Sequence, residues 1–124
     1  MKMLKCKLCG QIITVEKDTK MPISCCGEVM EEIIPNESDG ASEKHVPVIN
    51  QTGNKLEVCI GSDPHPMTDE HYIEWVLVET NQKNIKVCLH PGQDPKICLE
   101  LNDDEKVLNV YAYCNIHGLW INKN

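Results

Sequence analysis

Apolar and polar residues alternate with a period of two in three short segments of the second half of the chain. These are 55–60 (Leu56, Val58, Ile60), 84–89 (Ile85, Val87, Leu89) and 96–101 (Ile97, Leu99, Leu101). Successive side chains of a strand point to opposite faces, so each pattern predicts a strand with one buried face. Segments 72–79 and 106–113, the latter with Leu108, Val110 and Ala112 on one side, complete the set. Turn-forming residues separate them: Asn81-Gln82-Lys83-Asn84, Pro91-Gly92 and Asn102-Asp103-Asp104. Short strands at this spacing predict an antiparallel sandwich or barrel. No stretch sustains a helical pattern, and the acidic run 28–32 is expected to make a single helical turn at most.

The first third of the chain reads differently. Residues 35–42, Pro35-Asn36-Glu37-Ser38-Asp39-Gly40-Ala41-Ser42, are polar and without periodicity, the composition of a linker. The expected division is 1–37 and 38–124. A piece as short as the first cannot bury enough apolar surface to fold alone and calls for a staple.

Cysteines supply one. Cys6, Cys9, Cys25 and Cys26 fall in the first piece, out of 8 in the chain. Cys6-Lys7-Leu8-Cys9-Gly10 is a knuckle, in which two thiolates can face one ion while Gly10 relaxes the backbone. Cys25-Cys26-Gly27 supplies two more ligands if the chain kinks, for which Gly27 is suited. Four thiolates suit zinc or iron. The bland alternative, two disulfides, fits less well: 8 Cys in 124 residues stays below the roughly 8–10% of disulfide scaffolds. The N-terminus is charged with no apolar run behind it, and the longest strongly apolar run is 75–78, so neither a signal peptide nor a membrane span is expected. A cytoplasmic location follows, where clustered thiols bind metal more often than they pair.

The histidines form the second cluster. Of 5, His45 precedes Val46-Pro47, His65 sits between Pro64 and Pro66, and His71 opens a strand pattern. Cys114-Asn115-Ile116-His117-Gly118 then places a thiolate and an imidazole around a turn. Four imidazoles and one thiolate exceed a closed tetrahedral zinc site and suit five-coordinate iron with an open position. His90, before Pro91-Gly92, reads as a turn residue, and Cys59, Cys88 and Cys98 as small buried side chains of strands.

These motifs together resemble desulfoferrodoxin, the two-iron class of superoxide reductases of anaerobic and microaerophilic prokaryotes. Residues 1–37 resemble desulforedoxin, and the remainder resembles the neelaredoxin-type catalytic domain. Glu43-Lys44-His45-Val46-Pro47, His65-Pro66, His71-Tyr72-Ile73 and Cys114-Asn115-Ile116-His117-Gly118 carry the match. The resemblance implies an all-β chain, a small metal-stapled domain followed by an immunoglobulin-like sandwich. It implies two irons, one held by Cys6, Cys9, Cys25 and Cys26, with zinc as a possible substitute. The other is held by His45, His65, His71 and His117 in a plane with Cys114 axial. It further implies one-electron reduction of superoxide to hydrogen peroxide, Glu43 as sixth ligand of the oxidised iron, Lys44 as an electrostatic guide, a rubredoxin-like donor and a homodimer.

Charge narrows the alternatives. All 12 basic residues are Lys and the net charge is −7, so the chain lacks the arginine fork that reads phosphate or guanine, and nucleic-acid binding is not expected. A non-catalytic iron electron carrier or metal-binding module is the main rival reading. It leaves the histidine cluster unused. A thiol-based redox or metal sensor is the other.

Overall fold

The structure is a computed structural model and describes residues 1–40 and 44–124. Among the described residues every regular element is a strand. The chain separates into two compact units, Met1–Ile34 and Pro35–Asn124.

In the first unit β1 (Lys2–Lys5) pairs antiparallel with both β2 (Ile12–Val15) and β5 (Glu31–Glu32), while β3 (Ser24–Cys25) and β4 (Glu28–Val29) form a separate hairpin. The run 28–32, expected to make a helical turn, is therefore divided between two strands. Tertiary pairing overrides local propensity here, because the carbonyl of Met3 takes the N–H of Ile33 (2.9 Å) and that of Ile23 takes the N–H of Met30 (2.8 Å). The core of this unit is Leu4, Cys6 and Met30, with Ile13, Val15 and Cys25 packed against it. So small a core cannot offset the chain entropy of thirty-odd residues, which is the physical demand for a staple.

The second unit is a sandwich of two antiparallel sheets. One has the order β10-β7-β6 and the other β12-β11-β8-β9, formed by β6 (Pro47–Thr52), β7 (Lys55–Ile60), β8 (Ile73–Thr80), β9 (Asn84–Cys88), β10 (Lys96–Glu100), β11 (Val107–Cys114) and β12 (Gly118–Lys123). Leu56, Val58, Ile60 and Ile97 of the first sheet meet Ile73, Val76, Val78, Val110, Ala112 and Cys114 of the second. Residues 35–37, read from composition as the end of the first piece, lie with the second unit: Asn36 donates its backbone N–H to Leu119 O and accepts that of Ile121 (both 2.9 Å). Cys88 and Cys98 are exposed and Cys59 half-buried, contrary to the expectation of small buried side chains. The period of two explains it, since the flanking Val58 and Ile60, Val87 and Leu89, and Ile97 and Leu99 all pack on the core.

At the end of the sandwich formed by the β8–β9 turn, Glu105 is buried yet charged. Its carboxylate accepts from Thr80 Oγ1 and Asn102 N–H (both 2.8 Å) and pairs with Lys83 (3.3 Å). The Asn102 amide above all, with Thr80 and Lys83, holds this carboxyl below the usual carboxylate range, against the opposing effect of burial. A lowered folded-state pKa stabilises the native chain above the unfolded pKa, and that stability is lost as pH falls through the folded value. Glu105→Gln should therefore flatten the acid limb of a plot of stability against pH. Thr80→Val, which removes the hydroxyl that also accepts the N–H groups of Gln82 (3.1 Å) and Lys83 (3.0 Å), should cost roughly 1–3 kcal/mol by urea unfolding at neutral pH.

Candidate metal centres

The thiols of the first unit converge from two turns. Cys6 and Cys9 flank a knuckle closed by Gly10 N–H to Cys6 O (3.0 Å), with Gly10 at φ 80°. The Cys9 N–H faces Cys6 Sγ and the Gln11 N–H faces Cys9 Sγ, both at 3.5 Å. Between β3 and β4, Cys26 (φ 54°) and Gly27 (φ 78°) form a two-residue turn with both residues left-handed, the geometry of a primed hairpin turn. The kink thus begins at Cys26 itself, not only at Gly27. Cys9 Sγ lies 3.6 Å from Cys25 Sγ, which is 4.0 Å from Cys26 Sγ. Four sulfurs each about 2.3 Å from a common ion form a tetrahedron with edges of about 3.8 Å, so this donor set fits a tetrahedral metal. The Cys9 amide, foremost, holds the Cys6 thiol down to about 7, whereas the Cys9 and Cys6 thiols push Cys25 up to about 12. Crowded thiols that resist shared ionisation are the electrostatic situation a cation relieves.

In the second unit His45, His65, His71, Cys114 and His117 bring their ligand atoms within 4.8 Å of one another. The four imidazoles form a closed ring. Centroids are 4.6 Å apart for His45–His65, 4.7 Å for His65–His71, 5.0 Å for His71–His117 and 4.9 Å for His117–His45. The diagonal His45–His71 measures 6.5 Å, close to that of a square with such sides. His45 Nε2 and His117 Nδ1 are 3.1 Å apart. Two nitrogens each about 2.1 Å from one ion and at right angles about it would sit about 3.0 Å apart. His71 Nε2 is buried without a hydrogen-bond partner, the state of a lone pair awaiting a cation.

Each side chain is aimed by its local structure. His65 Nδ1 lies 2.7 Å from Pro66 O; a carbonyl only accepts, so Nδ1 carries the proton and Nε2 is left with its lone pair. His71 closes a turn in which its N–H meets Thr68 Oγ1 (3.1 Å). His45 lies just before β6, where Asp39 Oδ1 accepts the N–H groups of His45 (2.6 Å) and Val46 (3.1 Å). Cys114 ends β11 and His117 is the last residue of the three-residue turn 115–117 that leads into β12, which opens on Gly118 at φ 81°. A register shift where Tyr113 faces Trp75 but Cys114 faces Ile73 sets the end of β11 against β8. Cys114 is fully buried, with Sγ accepting the His117 N–H at 3.4 Å. His117 is exposed and gives the cluster its solvent side.

Asn115 and Gly61 are among the positioning residues that escaped sequence reasoning. Asn115 ties the hairpin to the segment that carries His71. Its Oδ1 accepts Tyr72 N–H (3.0 Å), its Nδ2 donates to Glu70 O (2.9 Å) and its N–H donates to Tyr72 O (3.1 Å). Its place between Cys114 and His117 was the available signal. Gly61, at φ 86°, packs so closely that a Cβ would lie 2.4 Å from both Lys44 O and Asp63 O. Gly61→Ala should cost roughly 2–5 kcal/mol through left-handed strain and overpacking. Because the carbonyl it displaces precedes His45, metal held by the second unit should also fall, read by elemental analysis beside a melting curve.

Lys44 is half-buried, with Nζ donating to Gly40 O at 2.7 Å. Glu43 lies outside the described residues. His90 is exposed and apart from the cluster. No helix among the described residues is long and apolar enough to cross a membrane.

The family model described as desulfoferrodoxin matches residues 37–123. A desulfoferrodoxin homolog of Archaeoglobus fulgidus is 41% identical over 120 residues, covering 97% of this chain and 94% of the relative. The solved superoxide reductase of Treponema pallidum matches with a TM-score of 0.80 at 30% identity, covering 98% of this chain and 97% of its own. A one-iron superoxide reductase of Giardia intestinalis matches 67% of this chain and 98% of its own, with a TM-score of 0.54 at 32% identity. Family match and near full-length likeness agree with what the two clusters imply, and the chain belongs to the desulfoferrodoxin family.

Proposed function

We propose that this chain is a superoxide reductase: superoxide gains one electron and two protons to give hydrogen peroxide, and no dioxygen is released. The observation that carries the reading is the square of imidazoles beside a buried thiol. His45, His65, His71, His117 and Cys114 would hold one iron ion, which when bound supplies the electron and retains one coordination position for a small anion. Cys6, Cys9, Cys25 and Cys26 would hold a second ion, iron or zinc in its place, within a domain like desulforedoxin.

The protein's part is to bind, aim and admit. Cys114, buried with Sγ accepting the His117 N–H, would give the ion a sulfur donor out of contact with water. His117, exposed, marks the side from which a small anion and its protons arrive. With a net charge of −7 the chain repels superoxide at long range, so a local cation is required. Lys44, adjacent to His45, is assigned that role, and Glu43, on the family resemblance, the remaining coordination position in the oxidised protein. A rubredoxin-like carrier as donor, a cytoplasmic setting and a homodimer complete the reading.

Pulse radiolysis of the iron-loaded, reduced protein tests it. Superoxide should disappear in a bimolecular step with one peroxide formed per superoxide; release of dioxygen, or no acceleration, would sink the reading. Lys44→Ala should slow that step, toward the lower end of the roughly 10- to 1000-fold range that steering supplies, and flatten its salt dependence. An unchanged rate would remove Lys44 from the mechanism.

A further inference from the structure

Each imidazole of the square is held by its own local contacts. His65 is braced by two prolines and its Nδ1 contact with Pro66 O, His71 by the Thr68 turn, and His117 by the β11–β12 hairpin. His45 precedes β6, outside any ladder. Its backbone is held by Asp39, and because the torsional wells of the bond to an imidazole are broad, contacts on the ring face set its plane. Only one plane of that ring keeps its nitrogen in the square.

Trp120 occupies the place where such a restraint would act. It lies on β12, opposite Ala112 of β11, and is half-buried. Its indole stacks flat on the His45 imidazole, with centroids 4.4 Å apart and planes 10° apart. The imidazole–imidazole contacts around the square are instead tilted or edge-on, between 60° and 83°, and the diagonal pair is tilted by 39°. Trp120 Nε1–H also donates to His117 O at 3.2 Å. One side chain therefore touches the ring of one donor and the backbone of another.

We infer that Trp120 is a positioning residue for the metal centre: it sets the plane of the His45 imidazole and, through the His117 carbonyl, ties that ring to the hairpin that carries Cys114 and His117. The flat stack favours one plane of the ring before the ion arrives. Partners that orient metal ligands from behind typically change metal affinity 10- to 100-fold when removed. The inference rests on the reading that this cluster holds a metal.

Cobalt(II), titrated into the full-length metal-free chain, tests it without superoxide. The four-thiolate and the mixed nitrogen–thiolate sites give distinct visible absorption, and release to excess EDTA separates them by rate. Trp120→Leu should weaken the His/Cys site at least about tenfold and shift its absorption, while the four-thiolate bands and their release rate stay as in the wild type. Trp120→Phe, which keeps a flat face, should remain within about threefold of wild type. The inference is overturned if Trp120→Leu binds and absorbs like the wild type, or if Trp120→Phe loses as much as Trp120→Leu. It is also overturned if the leucine variant loses the four-thiolate site and melts early in the metal-free form, since the residue would then serve general stability. A wild-type chain that takes up cobalt only in the four-thiolate site would overturn the metal-centre reading itself, a result distinct from each of these.

Discussion

Cys114→Ser should abolish the thiolate-to-metal charge-transfer absorption of the second unit and leave the apo fold almost intact. The side chain is fully buried at the end of β11, within the sandwich core, and Sγ accepts the His117 N–H. Serine is nearly isosteric, so packing survives at a cost of about 1–3 kcal/mol for burying a hydroxyl among apolar neighbours. Its hydroxyl does not ionise at neutral pH, so the one anionic donor of the cluster disappears while the four neutral imidazoles remain. Metal affinity should fall by at least about 10- to 100-fold, the range seen for lesser disturbances of such sites, and superoxide reduction should fall with it. Absorption of the iron-loaded variant, beside a melting curve of the metal-free one, is the measurement. A band that persists would place the metal-bound thiolate elsewhere.

Cys25→Ser has its large effect in the other unit. The thiols of Cys6, Cys9, Cys25 and Cys26 converge over a core of only a few side chains, so on the proposed reading a bound ion would supply most of the folding free energy of residues 1–34. Structural four-ligand sites contribute about 10–16 kcal/mol in small zinc-binding peptides, and a unit of this size cannot absorb the loss of even a fraction of that. Expected results are a drop from two metal ions per chain to one, rapid proteolysis within the first 34 residues, and a superoxide rate close to that of the wild type. A superoxide reaction that slows in proportion would contradict a purely structural first unit and point to electron relay.

Some of this was legible in the sequence because it follows from periodicity and spacing. The strand at 55–60 coincides with β7, and 84–89 and 96–101 differ from β9 and β10 by one residue each. β6 and β12 were not foreseen: residues 47–52 turn polar after Ile49, and 118–123 show no strict alternation. Those strands are held by pairing to β7 and β11, a tertiary cause with no local signature. The outward thiols of Cys59, Cys88 and Cys98 were within reach of the sequence, since each lies between two residues assigned to the buried face.

The donor inventory could be read from the chain because metal-ligand chemistry is a property of residue types and close spacing: Cys6-x-x-Cys9, Cys25-Cys26 and Cys114-x-x-His117 each place two ligands within one turn. Ring geometry could not be read, because His45 precedes β6, His65 and His71 lie on the connection between β7 and β8, and His117 lies on the β11–β12 turn, segments whose approach depends on the packing of two sheets. Asn115, Asp39, Gly61 and Trp120 belong to the same category. Nothing in their own residue type announces a role, and each acts through a contact with a distant segment. By itself, then, the sequence determined which elements could form and which atoms could bind a metal, since those are local properties of side chains. Tertiary structure alone decided that four imidazoles close a square with Cys114 beside it, since a site assembled from separated segments exists only once long-range burial has brought them together.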